Sequence, residues 1–270
     1  MNVCAFLPFV NDAADLATDI ALRFFRQELP VEAKPDASPV TEADKNIEKC
    51  LRAEIEKRYP SHGIIGEEYG VHNENAEFVW VIDPIDGTRA FIMGKPQFGL
   101  ILGLLYQGKP VLGCIHQPFT RERWIGDNEK ATYNGCAIHV ATPRPLGAAR
   151  LCMGAPMAFS QNIDAYLALC KKAAWPQYNS DCYGYGLLAM GCTDVVVEQG
   201  LSLYDVAGVA PIVTGAGGFI GTWDLAPIDK GFSNRVVAAS TKELAAEAVE
   251  TFLSANKKLS RPKSATASPF

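Results

Sequence analysis

The chain has 270 residues, of which 48% are apolar and 20% are charged, and its formal net charge is −5. This composition is that of an ordinary globular protein with enough residues for a substantial buried core. The negative charge disfavours a nucleic-acid partner, because phosphate backbones attract basic surfaces. No run of about 18 uncharged apolar residues occurs, so the sequence predicts no membrane span. The N-terminal stretch has no basic leader and carries several aspartates, so we expect no signal peptide.

Cysteine and histidine spacing argues against a zinc or redox site. The eight cysteines include no Cys-x-x-Cys pair, and the four histidines lack ligand spacing. We therefore expect reduced thiols, most of them small core residues, and a cytoplasmic location.

The N-terminal third predicts two helices separated by a loop. Apolar residues recur at helical spacing from Leu7 to Phe24, and Pro30 to Pro39 reads as a loop. Thr41 then opens a second amphipathic helix that ends near Tyr59.

Strand patterns dominate the next stretch. "HGIIGEEYG" and "EFVWVID" are typical of short strands, and "FGLILGLLYQGKPVLGCIHQP" predicts a hairpin with its turn around Gln107-Gly108-Lys109. "RERWIGDNEKATYNG" indicates another strand followed by a turn. A purely parallel nucleotide-binding sheet does not fit these hairpins, and no Gly-x-Gly-x-x-Gly motif is present.

After about Pro145, helices and strands alternate. "RLCMG" and "DVVVEQG" predict strands, "IDAYLALCKKAA" and "GYGLLAMGC" predict helices, and a further helix runs from Tyr204 to about Gly215. Strands "FIGTW" and "RVVAAS" precede a last helix from Lys242. We therefore expect a layered α/β (α+β) fold with an N-terminal half at 1–145, a C-terminal half at 146–256 and a loose tail at 257–270.

Two acids flank a proline in "VWVIDPIDGT". Asp83 and Asp86 follow four strand-forming residues and precede Gly87. A turn alone would tolerate asparagine or serine at either position. Two carboxylates at the end of so apolar a strand would repel each other unless a cation lay between them, and magnesium prefers such oxygen ligands. A metal site and an ordinary Asp-Gly turn both remain open at this point.

Other acids occupy comparable positions. Glu67 and Glu68 follow the strand-like "GIIG", where a solvated strand end is the alternative. Asp205 begins a helix, where the helix dipole alone would favour an acid. Asp44 lies three residues after Thr41, as in a capping box. Together, four separated segments place an acid at a strand end or helix start, where side chains can converge.

"GEE", "DPIDGT" and "YDVAGVAPIVTGAGG" resemble the inositol monophosphatase-like family of magnesium-dependent, often lithium-sensitive phosphomonoesterases. The resemblance covers roughly residues 11–251 and implies alternating layers of helices and mixed or antiparallel sheets. It implies that one magnesium ion is bound by Glu67, Asp83 and the carbonyl of Ile85, and a second by Asp83, Asp86 and Asp205. A third, weaker ion would lie near Glu67.

The resemblance also implies roles for the neighbouring residues. Gly87 and Thr88 would bind phosphate through backbone N–H groups, and Thr88 with Asp44 would orient the attacking water. Glu68 would support the metal ligands. The family's third block usually reads Trp-Asp-x-Ala, and a literal copy occurs at Trp223-Asp224. We prefer Asp205, because it begins a helix that ends at a glycine pair, as in the family, whereas Asp224 lies beyond those glycines.

The substrate is indicated by the segment before Asp205. Asp181, Tyr183 and Tyr185 stand where inositol-selective members carry small residues, and Glu198 matches a substrate-contacting position. An extra acid with nearby aromatic rings suits a leaving group with positive charge and a flat ring. The segment is similar to the histidinol-phosphatase branch, so we expect L-histidinol phosphate as substrate.

Alternatives to this substrate remain. Asp181 could be a helix cap and the tyrosines core packing. The substrate could be inositol 1-phosphate or a range of sugar phosphates, and less plausibly 3′-phosphoadenosine phosphate, or the protein could be an inactive phosphate-binding homologue. Arg121 and Arg123 could reach a neighbouring chain's site, although a solvated strand face is the simpler reading. Family members are commonly homodimers, and the hairpin from Phe98 to Gln117 could contribute to that interface.

Overall fold

The computed structural model describes residues 3–28, 31–33, 39–232 and 234–259. In this part of the chain the α-helices are α1 (Leu7–Phe24), α2 (Glu42–Arg58), α3 (Thr88–Ile92), α4 (Ile163–Lys172), α5 (Asp181–Ala189), α6 (Leu203–Val206), α7 (Ala210–Gly215) and α8 (Lys242–Leu259). Short 3₁₀ helices span Val3–Phe6, Leu146–Ala148 and Pro156–Asn162. None of the helices described is both long and apolar enough to cross a bilayer.

The strands form one small, one large and one medium sheet. They are β1 (Val31–Ala33), β2 (Pro39–Thr41), β3 (Gly63–Gly66), β4 (Gly70–His72), β5 (Phe78–Asp86), β6 (Gly99–Tyr106), β7 (Lys109–Gln117), β8 (Glu122–Gly126), β9 (Ala131–Tyr133), β10 (Cys136–Ala137), β11 (Arg150–Met153), β12 (Trp175–Tyr178), β13 (Val195–Leu201), β14 (Phe219–Thr222) and β15 (Asn234–Ala239). Among the described residues, β1 and β2 pair only with each other.

The large sheet has the order β10-β9-β8-β7-β6-β5-β3-β4 and is antiparallel except for the pair β3–β5. Helices α1 and α2 cover one face, and their buried apolar side chains form a core with those of β5, β6 and β7. This antiparallel sheet fits the hairpins read from the sequence.

The medium sheet has the order β12-β11-β13-β15-β14 and is mixed, since β11 is parallel to both of its neighbours and β15 is antiparallel to both of its own. Helices α4 and α8 pack against it. The predicted layered fold of helices with mixed and antiparallel sheets is therefore confirmed. The chain passes from one sheet to the other between Ala137 and Arg150, and the division at residue 145 stays a prediction.

Several predicted elements differ in detail. Of the loop expected from Pro30 to Pro39, residues 31–33 and 39 belong instead to the paired strands β1 and β2, and residues 30 and 34–38 lie outside the described part of the chain. The expected helix from Tyr204 to Gly215 is two helices, α6 and α7, since the chain turns at Gly208 and Pro211 restarts the helix. Helix α8 runs to Leu259, into the expected loose tail, and residues 260–270 lie outside the described part of the chain.

A row of glycines crosses the large sheet and receives the α6–α7 connection. Gly103, Gly113 and Gly126 are register partners on β6, β7 and β8. A side-chain carbon at Gly113 would overlap the carbonyl of Gly208, and one at Gly126 would overlap the backbone of Ile212. The segment that follows α6 therefore lies directly on the backbone of the sheet. This close approach fixes the position of α6, and with it Asp205.

The hairpin β6–β7 is interior to the sheet. Its strands lie between β5 and β8, and every residue from Phe98 to Leu105 is buried within this chain. Most apolar side chains of this hairpin therefore pack within the chain, and its contribution to a homodimer interface stays a prediction. The homodimer itself stays a prediction.

We predict that Gly113→Ala destabilises the protein by about 1–3 kcal/mol, the usual cost of overfilling a packed interface. The overlap is with backbone of the α6–α7 connection, which cannot rotate away as a side chain can. For a chain of this size, the loss should lower the melting temperature by about 2–4 °C for each kcal/mol. Thermal unfolding followed by circular dichroism measures it.

Gly147→Ala is the matched control. A side-chain carbon there meets only one atom, at 3.9 Å. If both variants melt at the same temperature as the parent protein, the glycine row does not hold the connection against the sheet.

Candidate active site

Strand β5 ends in an irregularity that presents two carboxylates. Asp83 pairs with Ile101 and Asp86 with Gly99, and the register shifts between them. Because Pro84 cannot donate a ladder hydrogen bond, the regular pairing is interrupted at this point. Both acids therefore lie at the same end of the sheet, one on each side of the bulge.

Asp205 joins these two acids from the other half of the chain. One carboxylate oxygen each from Asp83, Asp86 and Asp205 lies within 4.8 Å of the others. Asp205 also caps its own helix, since its Oδ2 accepts the backbone N–H of Ser202 at 2.5 Å. Asp224 is exposed, next to the end of β14. The structure thus brings Asp205 to the β5 acids and leaves Asp224 on the surface.

Burial and mutual repulsion disfavour the charged forms of this cluster. Burial, followed by the charges of Glu67, Asp86 and Asp205, raises the pKa of Asp83 well above its usual range. Burial and then the charge of Asp205 raise the pKa of Asp86 to about 8. Burial is also the main cause that raises the pKa of Asp205 to about 7. Three such groups can all ionise near neutral pH only beside compensating positive charge.

The donor set fits a hard divalent cation. Asp83 is 2% exposed, and its Oδ1 is buried without a hydrogen-bond partner among the described residues. A buried oxygen without a donor is costly unless a cation or solvent satisfies it. Carboxylate oxygens arranged around one point are the ligands that magnesium prefers. The residues present therefore suit magnesium, with Glu67 close enough that its charge raises the pKa of Asp83.

Asp44 and Thr88 lie beside this cluster and contact each other. Thr88 Oγ1 is 3.5 Å from Asp44 Oδ1 and 3.1 Å from the carbonyl oxygen of Ile85. The other oxygen of Asp44 accepts from the backbone N–H and the hydroxyl of Thr41, at 2.9 and 2.5 Å. Burial raises the pKa of Asp44 to about 6, against the opposing effect of the Thr41 hydrogen bonds. Asp44 is therefore both a helix cap and a proton acceptor within reach of Thr88.

Gly87 forms the turn between β5 and α3. Its φ of +79° lies in the left-handed region, which glycine adopts without strain. A side-chain carbon there would be 2.7 Å from the carbonyl oxygen of Gln97 and 3.1 Å from Asp181 Oδ2. The turn therefore requires glycine, and the carboxylate of Asp181 lies against it.

Asp181 begins α5 and reaches the site from the second half of the chain. Burial and then the charge of Asp86 raise the pKa of Asp181 to about 7, and Arg89 and Lys95 oppose the shift. Its Oδ2 is buried and has no hydrogen-bond partner among the described residues. The next residue, Cys182, donates its backbone N–H to Asp86 Oδ2. Helix α5 thus attaches directly to the carboxylate cluster.

The other predicted substrate residues divide into two groups. Glu198 is 8% exposed, accepts the hydroxyl of Tyr185 at 2.6 Å, and has its pKa raised to about 7, mainly by burial. Tyr183 instead packs edge-on against Trp124 and donates its hydroxyl to Glu122 at 2.7 Å. Its substrate role stays a prediction, as do the roles of the other site residues.

Sequence reasoning missed two supporting residues, Glu48 and Arg52. Glu48 has no exposed side-chain surface and accepts the backbone N–H groups of Glu68 and Tyr69, at 2.7 and 3.0 Å. Arg52 pairs with Glu48 at 2.8 Å. The available signal was an acid adjacent to the apolar stripe of α2, four residues after Asp44.

Arg121 and Arg123 border a separate cleft of about 570 Å³ between α1 and strands β7 to β9. Arg123 donates to Asn11 at 2.7 Å and to Asp15 at 2.5 Å, so it ties α1 to the sheet. His116 contacts Thr18 at 2.6 Å, and burial lowers the pKa of His116 to about 4. Arg123 and His116 are thus occupied by contacts within the cleft, and the residues that line the cleft do not include the carboxylate cluster.

An oxygen-lined cation site next to a glycine turn that suits phosphate is the arrangement of metal-dependent phosphate-ester hydrolases. The inositol monophosphatase family model matches residues 5–257, and the chain belongs to that family. Members are phosphoric monoester hydrolases that depend on a metal, generally magnesium. The predicted family is thus confirmed.

Three similar proteins illustrate the relationship. The chain is 40% identical over 252 residues to the bifunctional phosphatase IMPL2, chloroplastic, of Arabidopsis thaliana, covering 89% of this chain and 73% of the relative. It is 34% identical over 224 residues to the histidinol-phosphatase of Chlorobaculum parvum, covering 78% and 83%. A solved inositol monophosphatase from Zymomonas mobilis is 40% identical, has a TM-score of 0.82 and covers 90% of this chain and 95% of its own.

We predict that the metal-free protein loses stability as the pH rises from about 5 to about 9. A carboxyl whose pKa is raised by folding stabilises the fold below its unfolded pKa of about 4, and this contribution is lost as the pH rises through the folded pKa. The relevant folded pKa values are about 7 for Asp205 and about 8 for Asp86. Magnesium should raise the melting temperature most at the alkaline end, because it offsets the repulsion there. Thermal scans with a chelator and with magnesium measure both effects.

The variant Asp83→Asn tests the repulsion among the carboxylates directly. It removes one buried negative charge at nearly constant shape, so the metal-free protein should melt at a higher temperature near pH 8, respond less to magnesium and lose phosphatase activity. The exposed Asp224→Asn is the control and should change none of these. Equal melting temperatures for metal-free Asp83→Asn and parent protein across this pH range would contradict the repulsion.

Proposed function

We propose that the protein hydrolyses L-histidinol phosphate to L-histidinol and phosphate, a step of histidine biosynthesis, with two or three magnesium ions in each site. The observation that carries this substrate is a pair of further carboxylates beside the acids that suit the metal: Glu198, which is buried, and Asp181, which is half-buried with its Oδ2 inaccessible to solvent. A histidinol-phosphatase among the similar proteins supports the same choice.

Charge counting supports a cationic substrate. Two divalent cations would be matched by the four carboxylates of Glu67, Asp83, Asp86 and Asp205. Asp181 and Glu198 add up to two more negative charges when ionised, and the charge of Asp181 raises the pKa of Glu198. The phosphate dianion adds further negative charge to the same site. An ammonium or imidazolium group on the leaving alcohol would compensate for Asp181 and Glu198, whereas a neutral polyol would not.

The basic side chains near Asp181 do not provide the compensating charge. Arg89 and Lys95 lower the pKa of Asp181, but both are exposed and screened by solvent. Asp181 retains a buried oxygen without a hydrogen-bond donor among the described residues. Its carboxylate lies against the glycine turn that would bind the phosphate, so a cationic group a few bonds from the phosphorus is within its reach.

Each site residue then has its own role in the proposed reaction. The N–H groups of Gly87 and Thr88 bind the phosphate oxygens. The Thr88 hydroxyl donates to Asp44 and accepts from the attacking water, which it thereby orients. Glu67, Asp83, Asp86, Asp205 and the Ile85 carbonyl would hold the metal, and Glu68 lies beside them. Bound magnesium supplies positive charge that makes water more acidic and stabilises the departing alkoxide.

The bond changes are those of direct hydrolysis. A bond forms between the water oxygen and phosphorus, the ester P–O bond breaks with its electron pair on the departing oxygen, and the resulting alkoxide takes a proton from solvent. The water proton passes through the Thr88 hydroxyl to Asp44, whose pKa of about 6 suits an acceptor near neutral pH. No covalent phosphoenzyme is involved.

A second candidate is inositol 1-phosphate or a range of sugar phosphates. The 40% identity to a solved inositol monophosphatase favours it. In that case the Glu198 carboxylate would accept hydrogen bonds from sugar hydroxyls, and Asp181 would lack a cationic partner. A homodimer and a cytoplasmic location are further expectations of the proposal.

We predict that L-histidinol phosphate exceeds inositol 1-phosphate in kcat/KM by at least about tenfold, measured by phosphate release with magnesium. Asp181→Asn should raise KM for histidinol phosphate by about tenfold, or about 1.4 kcal/mol, and leave KM for inositol 1-phosphate nearly unchanged. Asparagine is preferred to alanine, because Asp181 has a φ of +48°, which asparagine tolerates.

Asp164→Asn is the matched control, since Asp164 is an exposed acid in the first turn of α4. It should leave both KM values unchanged. A preference for inositol 1-phosphate of tenfold or more would reject the proposed substrate. Equal effects of Asp181→Asn on the two substrates would remove Asp181 from recognition.

A further inference from the structure

One face of helix α2 carries three polar residues that point toward the active site. Asp44, Glu48 and Arg52 are spaced four apart, so they follow one another along the same side of the helix. Asp44 and Glu48 are both fully buried. Asp44 contacts Thr88, whereas Glu48 and Arg52 contact the turn between β3 and β4.

Glu48 holds the turn by its backbone. Its Oε2 accepts the N–H of Glu68 at 2.7 Å, and its Oε1 accepts the N–H of Tyr69 at 3.0 Å. Arg52 Nε donates to the same Oε1 at 2.8 Å, and its Nη2 donates to the carbonyl of Gly70. A side-chain carbon at Gly66 would overlap the Glu48 carboxylate, so the strand end is shaped to admit it.

The turn between β3 and β4 has more hydrogen-bond partners than a turn of this kind needs. A tight turn between two short strands usually closes with its own backbone hydrogen bonds. Here a buried carboxylate does so from another element, and burying it carries a desolvation cost that its donors and its ion pair must offset. We therefore attribute the buried carboxylate of Glu48 to the geometry it imposes on the turn rather than to a gain in stability.

The geometry that Glu48 imposes is the position of Glu67, which lies at the start of the same turn. The N–H of Glu67 donates to the carbonyl of Ile82 on β5 at 3.1 Å. Glu67 is therefore tied to β5 on one side, and its neighbour Glu68 is tied to α2 on the other. Because α2 also carries Asp44, one rigid helix sets the distance between Asp44 and Glu67.

We propose that Glu48, held by Arg52, is a positioning residue that places Glu67 relative to Asp44 and Asp83 and thereby sets the affinity of the active site for its divalent cation. Glu48 touches neither the cation nor the substrate. The proposal does not depend on which phosphate ester is hydrolysed, so it can fail or succeed independently of the histidinol phosphate assignment.

The test is Glu48→Gln in the full-length protein. Glutamine offers one acceptor oxygen, and its amide would face an N–H donor or the guanidinium, so at least one tie to the turn is lost. The magnesium concentration that half-saturates activity should rise at least about tenfold, with kcat at saturating magnesium within about twofold. A magnesium titration of the melting temperature, which needs no turnover, should shift by the same factor.

Arg52→Lys is the conservative variant. It keeps the positive charge but cannot reach both Glu48 and the Gly70 carbonyl as a planar guanidinium does. Its half-saturating magnesium concentration should rise by about threefold or more. If Glu48→Gln does not fold, Arg52→Lys decides the question, because an unchanged magnesium requirement in that variant overturns the proposal.

Glu54→Gln is the matched control. Glu54 lies on the same helix and pairs with Arg58 four residues later at 3.2 Å, outside the site. It should leave the magnesium requirement unchanged. A Glu48→Gln protein with a lower melting temperature but the parent's magnesium requirement would show that Glu48 only stabilises the fold, and would overturn the proposal.

Discussion

Mutual repulsion among buried carboxylates is the constraint on which the rest of this structure depends. Asp83, Asp86 and Asp205 place oxygens within 4.8 Å of one another, and burial strengthens their repulsion by excluding water. Such a cluster would relax if any of the three were free to turn away. Its persistence requires that each acid be held by an element with little freedom to move, and a bound divalent cation would relieve the repulsion when the acids are ionised.

The holding elements come from both halves of the chain. Asp83 and Asp86 are fixed by the bulge in a strand that is buried on both faces. Asp205 is fixed less directly, because α6 is only four residues long and would not be stable alone. It is held because the chain after it lies on a glycine row, where backbone meets backbone and no side chain can adjust. The two sheets are thus joined where the three carboxylates meet.

Local patterns in the sequence were enough to predict much of this. The helices α1 and α2, the hairpin β6–β7 and the carboxylates around Pro84 all follow from spacing and turn chemistry over a few residues. The break between α6 and α7 had a local signal that the sequence reading did not use, because Gly208 and Pro211 both lie within the expected helix. The pairing of β1 with β2 and the burial of Glu48, by contrast, depend on residues that only the folded chain brings together. The two tyrosines of α5 are a further example. Helical spacing did not show that Tyr183 donates to Glu122 whereas Tyr185 donates to Glu198.

One acid can have both a structural and a functional role. A carboxylate has two oxygens, so Asp44 caps α2 with one and approaches Thr88 with the other. Asp205 caps α6 while it contributes to the cluster. Asp181 differs from both. Helix α5 has no side-chain cap bond at its N-terminus, Asp181 has a φ of +48°, and its Oδ2 lies buried against Gly87 without a donor among the described residues. A capping hydrogen bond therefore does not account for this carboxylate. Under the proposed function, a cationic group on the substrate would supply the donor that Asp181 Oδ2 lacks.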